Sequence, residues 1–354
     1  MSNFRLLIGP TNCAEQNFRW ANATRDLFNT VSCGDSNSLW GQNLHQRNLL
    51  REFALGNRGT KSQRSIVERN RQWIINNFTH VLIDFFNPIV NYLDLQDVRE
   101  DIKYLNSNGL KVGMIAHGSD LRSPSLHKEL EPLSPHHNME DEENRHLESV
   151  ANSFRNYISS TSIELYISVL DLVPHTPRYK WLPVIAQQKY FDIPISKSRK
   201  IPLICHIPSD PKMKGTSSIE KVLLKLHEKG FIQYLRPNKI SALEVYKLIS
   251  RSDIIIDTMS GGFYGVLGTE ALASGKIVLG QISDEIRNVH SEAIPIVNIT
   301  PLTLEDTILD VVVNSKKYDF LPEESKNYAA KWHSGAFSKK VITDFVVAKT
   351  DESL

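Results

Sequence analysis

Residues 253–280 constrain the fold more than any other part of this 354-residue sequence. The segment opens with the apolar run Asp253–Asp257 and closes with a second run, Ile277–Gly280. A glycine-rich loop and a short helical stretch that carries Glu270 separate the two runs. Runs of Ile and Val without polar alternation are typical of strands covered on both faces, as in parallel sheets. The segment therefore predicts a strand–helix–strand unit with a backbone-lined pocket at the first strand's carboxyl end.

The same alternation of apolar runs and helical patterns occurs in both halves of the chain. The predicted strands are Arg5–Gly9, His80–Phe86, Lys111–Ala116 and Ile163–Ser168 in the first half, and Pro202–Ile207, Phe231–Leu235, Asp253–Asp257, Lys276–Gly280 and Ile294–Asn298 in the second. Alternating strands and helices form right-handed crossover units around a parallel sheet. The predicted fold class is therefore α/β, with two Rossmann-like doubly wound domains facing each other across a cleft.

The chain is long for one domain, and proline and small polar residues cluster near its middle. We therefore expect an N-terminal domain over residues 1–185 and a C-terminal domain over residues 186–335. Residues 336–354 are expected to add a final helix. Ser217–Glu220 and Ser241–Glu244 have the spacing of capping boxes, which predicts that helices begin there.

Charge and cysteine content narrow the class of protein. There are 41 basic and 40 acidic side chains, whereas a protein that binds mainly nucleic-acid backbone is usually more basic, so we expect no nucleic-acid partner. Cys13, Cys33 and Cys205 are odd in number and lack metal-site spacing, which favours a reduced, cytoplasmic setting. No window has the apolar length of a membrane-spanning helix. Contact with the inner face of a membrane stays an alternative.

Two turns after predicted strands of the first half carry candidate site residues. Gly9 lets the backbone approach a ligand and Asn12 offers an amide to hydroxyl groups, although a plain strand-to-helix turn explains both more simply. His117 would project into the cleft, where imidazole can exchange a hydrogen bond with a sugar hydroxyl. Asp120 and Arg122 would orient the ligand or the loop. A purely structural His117 is about equally well supported.

The loop at residues 207–216 predicts a phosphate contact in the second half. Lys212 and Lys214 precede a helix start, so positive charge and free backbone donors occur together, as a diphosphate requires. Ser209 lies in the same loop. A solvated lysine turn is the alternative interpretation. We favour phosphate contact, and more strongly for Lys214 than for Lys212.

The glycine-rich loop after the Asp253–Asp257 strand predicts the other side of a nucleotide site. Its candidate binding residues are Gly261, Gly262, Phe263, Tyr264 and Gly265. Glycines let main-chain amides reach a phosphate or sugar, although they could also serve a tight turn alone. Glu270, in the first turn of the next helix, would accept hydrogen bonds from ribose hydroxyls. Its alternative role is to stabilise the helix dipole.

Taken together, these segments resemble the GT-B glycosyltransferases. The resemblance is carried by His117–Asp120, Lys214–Thr216 and the stretch from Gly265 to Gly275. It is greatest for the retaining family 4-like (group 1) enzymes, which include sucrose-phosphate synthase-like and mannosyltransferase-like proteins. The resemblance implies a two-domain GT-B architecture, with a donor site in the C-terminal domain and an acceptor site in the N-terminal domain. It also implies that the final helix within residues 336–354 returns to the first domain.

The resemblance implies roles for individual residues. Lys214 matches the lysine that neutralises the donor diphosphate, and Lys212 would stand in for its usual basic neighbour. Glu270 matches the second acid of a paired-glutamate motif and would bind the ribose. His117 matches a histidine beside the donor sugar, so His117 and Lys214 are the expected catalytic residues. Gly9 matches the glycine loop that approaches donor or acceptor.

Position 262 departs from the pattern of the resembled enzymes. Their first motif glutamate lies eight residues before the second, where this sequence has Gly262. The acidic contact to the donor sugar is therefore missing from its usual place. Either main-chain amides of Gly262 or Phe263 replace it, or the donor preference is altered.

The resemblance implies a hexosyltransferase that uses a UDP- or GDP-linked sugar, retains the anomeric configuration and needs neither metal ion nor cofactor. The acceptor, whether glycan, lipid-linked or protein, is not identified, and its site is expected in residues 34–70 and 123–146. The basic stretch within residues 34–70 would suit anionic lipid or a phosphorylated acceptor, or simply form a solvated helix face. Two alternatives stay open: a nucleotide-sugar epimerase of the same fold, and a catalytically degenerate subunit that supports a partner protein.

Overall fold

Two parallel sheets organise the computed structural model, which describes residues 4–34, 61–90, 97–196, 199–237 and 240–348. The strands are β1 (Leu6–Gly9), β2 (Val31–Ser32), β3 (His80–Asp84), β4 (Lys111–Ala116), β5 (Glu164–Ile167), β6 (Lys180–Trp181), β7 (Leu203–His206), β8 (Gln233–Leu235), β9 (Ile254–Ile256), β10 (Ile277–Gly280) and β11 (Ile296–Asn298). The first sheet has the order β2-β1-β3-β4-β5-β6 and the second the order β11-β10-β9-β7-β8. The predicted α/β class with two doubly wound sheets is confirmed.

Helices connect and flank the strands of both sheets. They are α1 (Gln16–Phe28), α2 (Lys61–Asn77), α3 (Val98–Ser107), α4 (Pro124–Leu130), α5 (Asp141–Ser160), α6 (Gln188–Phe191), α7 (Pro211–Lys214), α8 (Thr216–Glu228), α9 (Ala242–Arg251), α10 (Val266–Ala273), α11 (Asp284–Val289), α12 (Leu304–Val313), α13 (Leu321–His333) and α14 (Ala336–Val347). None of the helices in the described part of the chain combines the length and apolar character that crossing a bilayer requires.

All nine predicted strands are present, with ends within two residues of the prediction. The central strands are buried along their whole length, which explains why their sequences lack polar alternation. Strand β3 stops at Asp84 because Phe85 and Phe86 adopt positive φ angles of 56° and 52°. The sequence missed β2 and β6, since two residues at a sheet edge give no periodicity.

The two predicted capping boxes had opposite outcomes. Ser241 caps α9 as expected: its Oγ accepts from the Glu244 amide at 3.3 Å, and the Glu244 carboxylate accepts from the Ser241 amide at 2.7 Å. The prediction for Ser217 was wrong, because α8 begins at Thr216, two residues before the start that a Ser217 cap would give. Gly215, in the left-handed region at φ 70°, ends α7 and starts α8, so Ser217 lies inside the first turn.

The final helix packs against the first sheet. Strands β1–β6 lie within residues 1–185 and β7–β11 within residues 186–335. Phe345 of α14 is fully buried, with its ring centroid 5.5 Å from that of His80 and 5.9 Å from that of Tyr166. Residues 349–354 lie outside the described residues, and the exact domain limits stay a prediction.

We predict that Phe345→Ala destabilises the protein by about 3–5 kcal/mol, because it leaves a cavity between α14 and the first sheet. Val347→Ala on the same helix is the control, since Val347 is 52% exposed. Urea unfolding measures both free energies. Equal losses in the two variants would contradict the packing role of Phe345.

Candidate functional site in the cleft

Several of the predicted site residues line a cleft between the carboxyl ends of the two sheets. A cavity of about 140 Å³ lies there, lined from the first half by His117 and Arg122 and from the second by Lys214, Gly261 and Gly265, among others. Ligands of open parallel sheets bind at the carboxyl ends of strands, where side chains from successive loops converge. The structure therefore brings together candidates that are up to 148 positions apart in sequence (117 to 265).

A buried ion pair fixes Lys214 at the edge of the cavity. Its Nζ lies 3.0 Å from Oδ1 of Asp257, which is fully buried directly after β9. Oδ2 of the same carboxylate accepts the Gly265 amide at 2.7 Å. A Cβ on Gly265 would lie 3.2 Å from the Lys214 Nζ, and one on Gly268 would lie 2.7 Å from Oδ2. These glycines therefore make room for the pair, and the sequence had treated Asp257 only as a strand end.

The remaining residues of the 207–216 loop have other surroundings. Ser209 and Lys212 are exposed, and the Lys212 amide is capped by the Asp210 carboxylate at 2.9 Å. Thr216 is buried, with its hydroxyl 2.9 Å from Nε2 of His206. Of the predicted phosphate residues in this loop, only Lys214 lines the cavity.

The glycine loop needs two glycines for its backbone conformation. Gly261 and Gly262 have φ angles of 106° and 77°, in the left-handed region that other residues rarely adopt. The Gly262 amide lies 3.4 Å from Oε1 of Gln281 and donates to it, so this amide already has a partner. The carbonyl of Gly262 accepts from the Ser283 amide at 2.9 Å.

The aromatic pair of the same loop belongs largely to the core. Phe263 and Tyr264 are buried and their ring centroids lie 4.1 Å apart. The Tyr264 hydroxyl lies 2.9 Å from the Tyr328 hydroxyl and 2.7 Å from Nε2 of His333. Both rings line the cavity wall, but the polar end of Tyr264 is engaged within α13. Tyr264 therefore contributes to the support of the loop rather than to ligand binding.

Glu270 is paired across the cleft. Its Oε1 lies 3.2 Å from Nη2 of Arg19 on α1, and both side chains are about nine-tenths buried. Burial raises the pKa of Glu270, while the charge of Arg19 and a hydrogen bond from Tyr190 oppose the rise. Arg19 also donates to the Ile185 carbonyl at 2.6 Å. In this structure a residue of the first half therefore pairs with Glu270, the side chain that was predicted to bind the ribose.

A second buried carboxylate organises the first-half side of the cleft. Asp84 accepts from the amides of Thr11 at 2.7 Å and Asn12 at 3.0 Å. Nε2 of His117 lies 3.6 Å from the Asp84 carboxylate, and Nδ1 lies 3.0 Å from the Ser168 hydroxyl. Nδ1 of His117 therefore has a hydrogen-bond partner, whereas its buried Nε2 makes no hydrogen bond within the described residues. The ring lines the cavity, as its position after β4 predicted.

Asp120 and Arg122 shape the loop that carries His117. The Asp120 carboxylate accepts from the amides of His117 at 2.9 Å and Gly118 at 2.7 Å, and burial raises its pKa. Arg122 Nε donates to Asp171 at 3.0 Å. Asp120 thus acts on the backbone rather than facing the cavity, whereas Arg122 lines it.

Packing explains Gly9, while Asn12 retains a free donor. A Cβ on Gly9 would lie only 2.3 Å from the Cys33 Sγ and 2.7 Å from its carbonyl oxygen, so no side chain fits there. Asn12 has a left-handed φ of 58°, which asparagine tolerates better than most residues. Its Nδ2 is buried and makes no hydrogen bond within the described residues.

Three histidines beside the cleft were missed by the sequence interpretation. His127 and His175 stack with ring centroids 6.0 Å apart, and His127 meets His136 at 5.5 Å. Burial, reinforced by the charge of Arg122, lowers the pKa values to about 3, 4 and 3 for His127, His136 and His175. All three rings are therefore neutral at pH 7. Across the described ranges, no group of three or more His, Cys, Asp or Glu side chains is placed to hold a metal ion.

We predict that Arg19→Gln destabilises the protein by about 3–5 kcal/mol at neutral pH, because it leaves the buried Glu270 carboxylate unpaired. Losing the Arg19 charge raises the pKa of Glu270 further, and the ionised form then costs stability as pH rises. The loss measured by urea unfolding should therefore grow as pH rises above the ordinary pKa of a glutamate. The exposed Lys339–Asp26 pair provides the control, Lys339→Gln. A pH-independent loss would contradict the assignment.

Solved structures similar to this chain include glycosyltransferases. A glycosyltransferase from Rickettsia africae is 11% identical with a TM-score of 0.60, covering 99% of this chain and 100% of that one. WaaG, a glycosyltransferase involved in lipopolysaccharide biosynthesis, is 12% identical with a TM-score of 0.56, covering 98% and 100%. Anabaena HepE, in complex with UDP and glucose, is 10% identical with a TM-score of 0.58, covering 98% and 99%.

No protein-family model and no curated protein matches the chain. Identities near one in ten show the fold alone. The resemblance seen in the sequence is confirmed at that level: the chain has the GT-B fold of these glycosyltransferases over nearly its full length.

Proposed function

We propose that the protein is a glycosyltransferase that moves a sugar from a nucleoside-diphosphate sugar to an acceptor. The Lys214–Asp257 pair carries the proposal, because it holds an ammonium group at the carboxyl edge of the second sheet, facing the cavity. The 261–265 loop leads from there into the N-terminus of α10, which favours anions. The neighbour HepE, in complex with UDP-glucose, supports a nucleotide-sugar donor.

Lys214 would stabilise the departing diphosphate. Negative charge grows on this group as the glycosidic bond breaks, and a preorganised cation lowers the barrier. One of the three N–H groups of the Lys214 ammonium donates to Asp257, which leaves two to donate to phosphate oxygens. Because the pair is neutral overall, we propose that the α10 dipole and Lys212 add the remaining positive potential, without a metal ion.

Nucleotide binding would replace Arg19 with the ribose hydroxyls as the partner of Glu270. For the ribose hydroxyls to reach the carboxylate, Arg19 must give up its 3.2 Å contact. That contact joins α1 to α10, so its loss would loosen the two halves as the nucleotide enters. We propose that Glu270 binds the ribose in the loaded protein.

We further propose transfer of a hexose from a UDP- or GDP-linked donor, with retention at the anomeric carbon. The acceptor oxygen attacks from the face that the diphosphate leaves. The bond from carbon to the phosphate oxygen breaks, the new glycosidic bond forms, and the acceptor proton passes to a phosphate oxygen. No protein nucleophile is required. His117 then lies beside the sugar, held by Asp84 and Ser168, and orients it rather than attacking it.

We predict that Lys214→Ala weakens nucleoside-diphosphate binding about tenfold to a hundredfold, the usual loss for a charge-assisted hydrogen bond. Transfer should fall at least as far. Lys212→Ala should cost less, and Lys221→Ala, an exposed lysine of α8, should change neither quantity. Thermal shift with a panel of nucleoside diphosphates and their sugars measures binding, because a ligand of the folded state raises the melting temperature.

Near-normal turnover of the Lys214→Ala variant would contradict the proposed function. Incubation with the donor alone distinguishes a glycosyltransferase from the epimerase alternative. An epimer that forms without any acceptor would favour the epimerase. A protein that is stabilised by no member of the panel would point instead to a degenerate subunit. Nothing in the described residues identifies the acceptor, and the basic stretch Arg47–Arg58 lies outside them.

A further inference from the structure

A carboxylate from the first half reaches the glycine loop of the second. Glu131 follows α4, and its Oε2 lies 3.4 Å from the point where a Cβ on Gly262 would be. The same Cβ would lie 3.2 Å from the Cβ of Ser283. A side chain at position 262 would therefore extend into the space beside the Glu131 carboxylate. Glycine at position 262 avoids this crowding and lets the loop lie against the Glu131 carboxylate.

The surrounding contacts hold Glu131 in one place. Glu131 is only 6% exposed, and its backbone amide donates to the His127 carbonyl at 2.9 Å. Its Oε1 accepts from the Leu133 amide at 3.2 Å. His127, one turn earlier, is hydrogen-bonded to the backbone of Gly261. Two successive turns of the first half thus contact the glycine loop.

The second oxygen of Glu131 is available to a ligand. Within the described residues, Oε2 accepts no hydrogen bond, although the side chain is more than nine-tenths buried. A carboxylate oxygen that lacks a donor within the protein can accept a hydrogen bond from a ligand hydroxyl or from water. The neighbouring Gly261 lines the cavity that holds the Lys214 ammonium.

We propose that Glu131 binds hydroxyl groups of the donor sugar and supplies, from the first half, the acid that position 262 lacks. This inference rests on the proposed function. Its chemistry is that of a carboxylate accepting hydrogen bonds from vicinal hydroxyls. Because Glu131 and Lys214 lie on opposite halves, the diphosphate can bind the second half alone, but the sugar contact forms only when the halves are together.

The test compares Glu131→Gln with wild type by titration calorimetry, using UDP, GDP and their hexose derivatives as probes. Glutamine keeps an oxygen for the Leu133 amide but loses the negative charge. The affinity for the sugar nucleotide should fall about tenfold or more, while the affinity for the matching nucleoside diphosphate changes less than about twofold. Glu129→Gln, on the exposed side of α4, is the matched control and should change neither.

Equal loss of affinity for the diphosphate and its sugar derivative, or no loss for either, would overturn the role of Glu131. Unchanged melting temperature in the free protein shows that the variant folds, and Glu131→Asp provides a second variant that keeps the charge but shortens its reach. Recovery of sugar discrimination in that variant would support the inference. Binding of no probe by wild type would overturn the proposed function itself. If the wild-type protein binds the nucleoside diphosphate but binds its sugar derivative no more tightly, only the role of Glu131 would be overturned.

Discussion

The buried Asp257 carboxylate is the interaction on which the candidate site depends. It lies directly after the central strand β9 and is shielded from water, so both of its oxygens need donors. One takes the ammonium of Lys214 and the other the amide of Gly265. A single side chain thereby fixes the cation, the end of the glycine loop and the start of α10. Glycine at positions 265 and 268 follows from this, because a Cβ at either would crowd the pair.

The second feature of the site is that both halves complete it. Arg19 neutralises Glu270 across the cleft, and Glu131 brings a carboxylate against Gly262. Under the proposed function, these contacts connect nucleotide-sugar binding with the relative position of the halves. A cleft between two separate α/β sheets allows that position to change, because each sheet can move together with the loops that it carries.

Much of the fold was predictable because parallel strands leave a strong sequence pattern. The nine apolar runs became strands, and Ser241 capped its helix as its spacing indicated. The failures have local causes. Strands β2 and β6 are too short to show a period, and Ser217 was displaced because Gly215 takes the left-handed turn that sets the helix start. Lys214 and His117 both line the cavity: His117 directly follows β4, and Lys214 lies between β7 and α8.

By itself, the sequence determined the nine longer strands, the α/β class and the turns at which candidate ligand-binding residues lie, because these depend on local periodicity and on glycine. Only the tertiary structure decided which charges are paired. Asp257 beside Lys214, Arg19 beside Glu270 and Glu131 beside Gly262 join residues 43, 251 and 131 positions apart, respectively. No local pattern encodes such contacts. Asp257 meets Lys214 through packing within the second half, and the other two contacts form where the two halves meet.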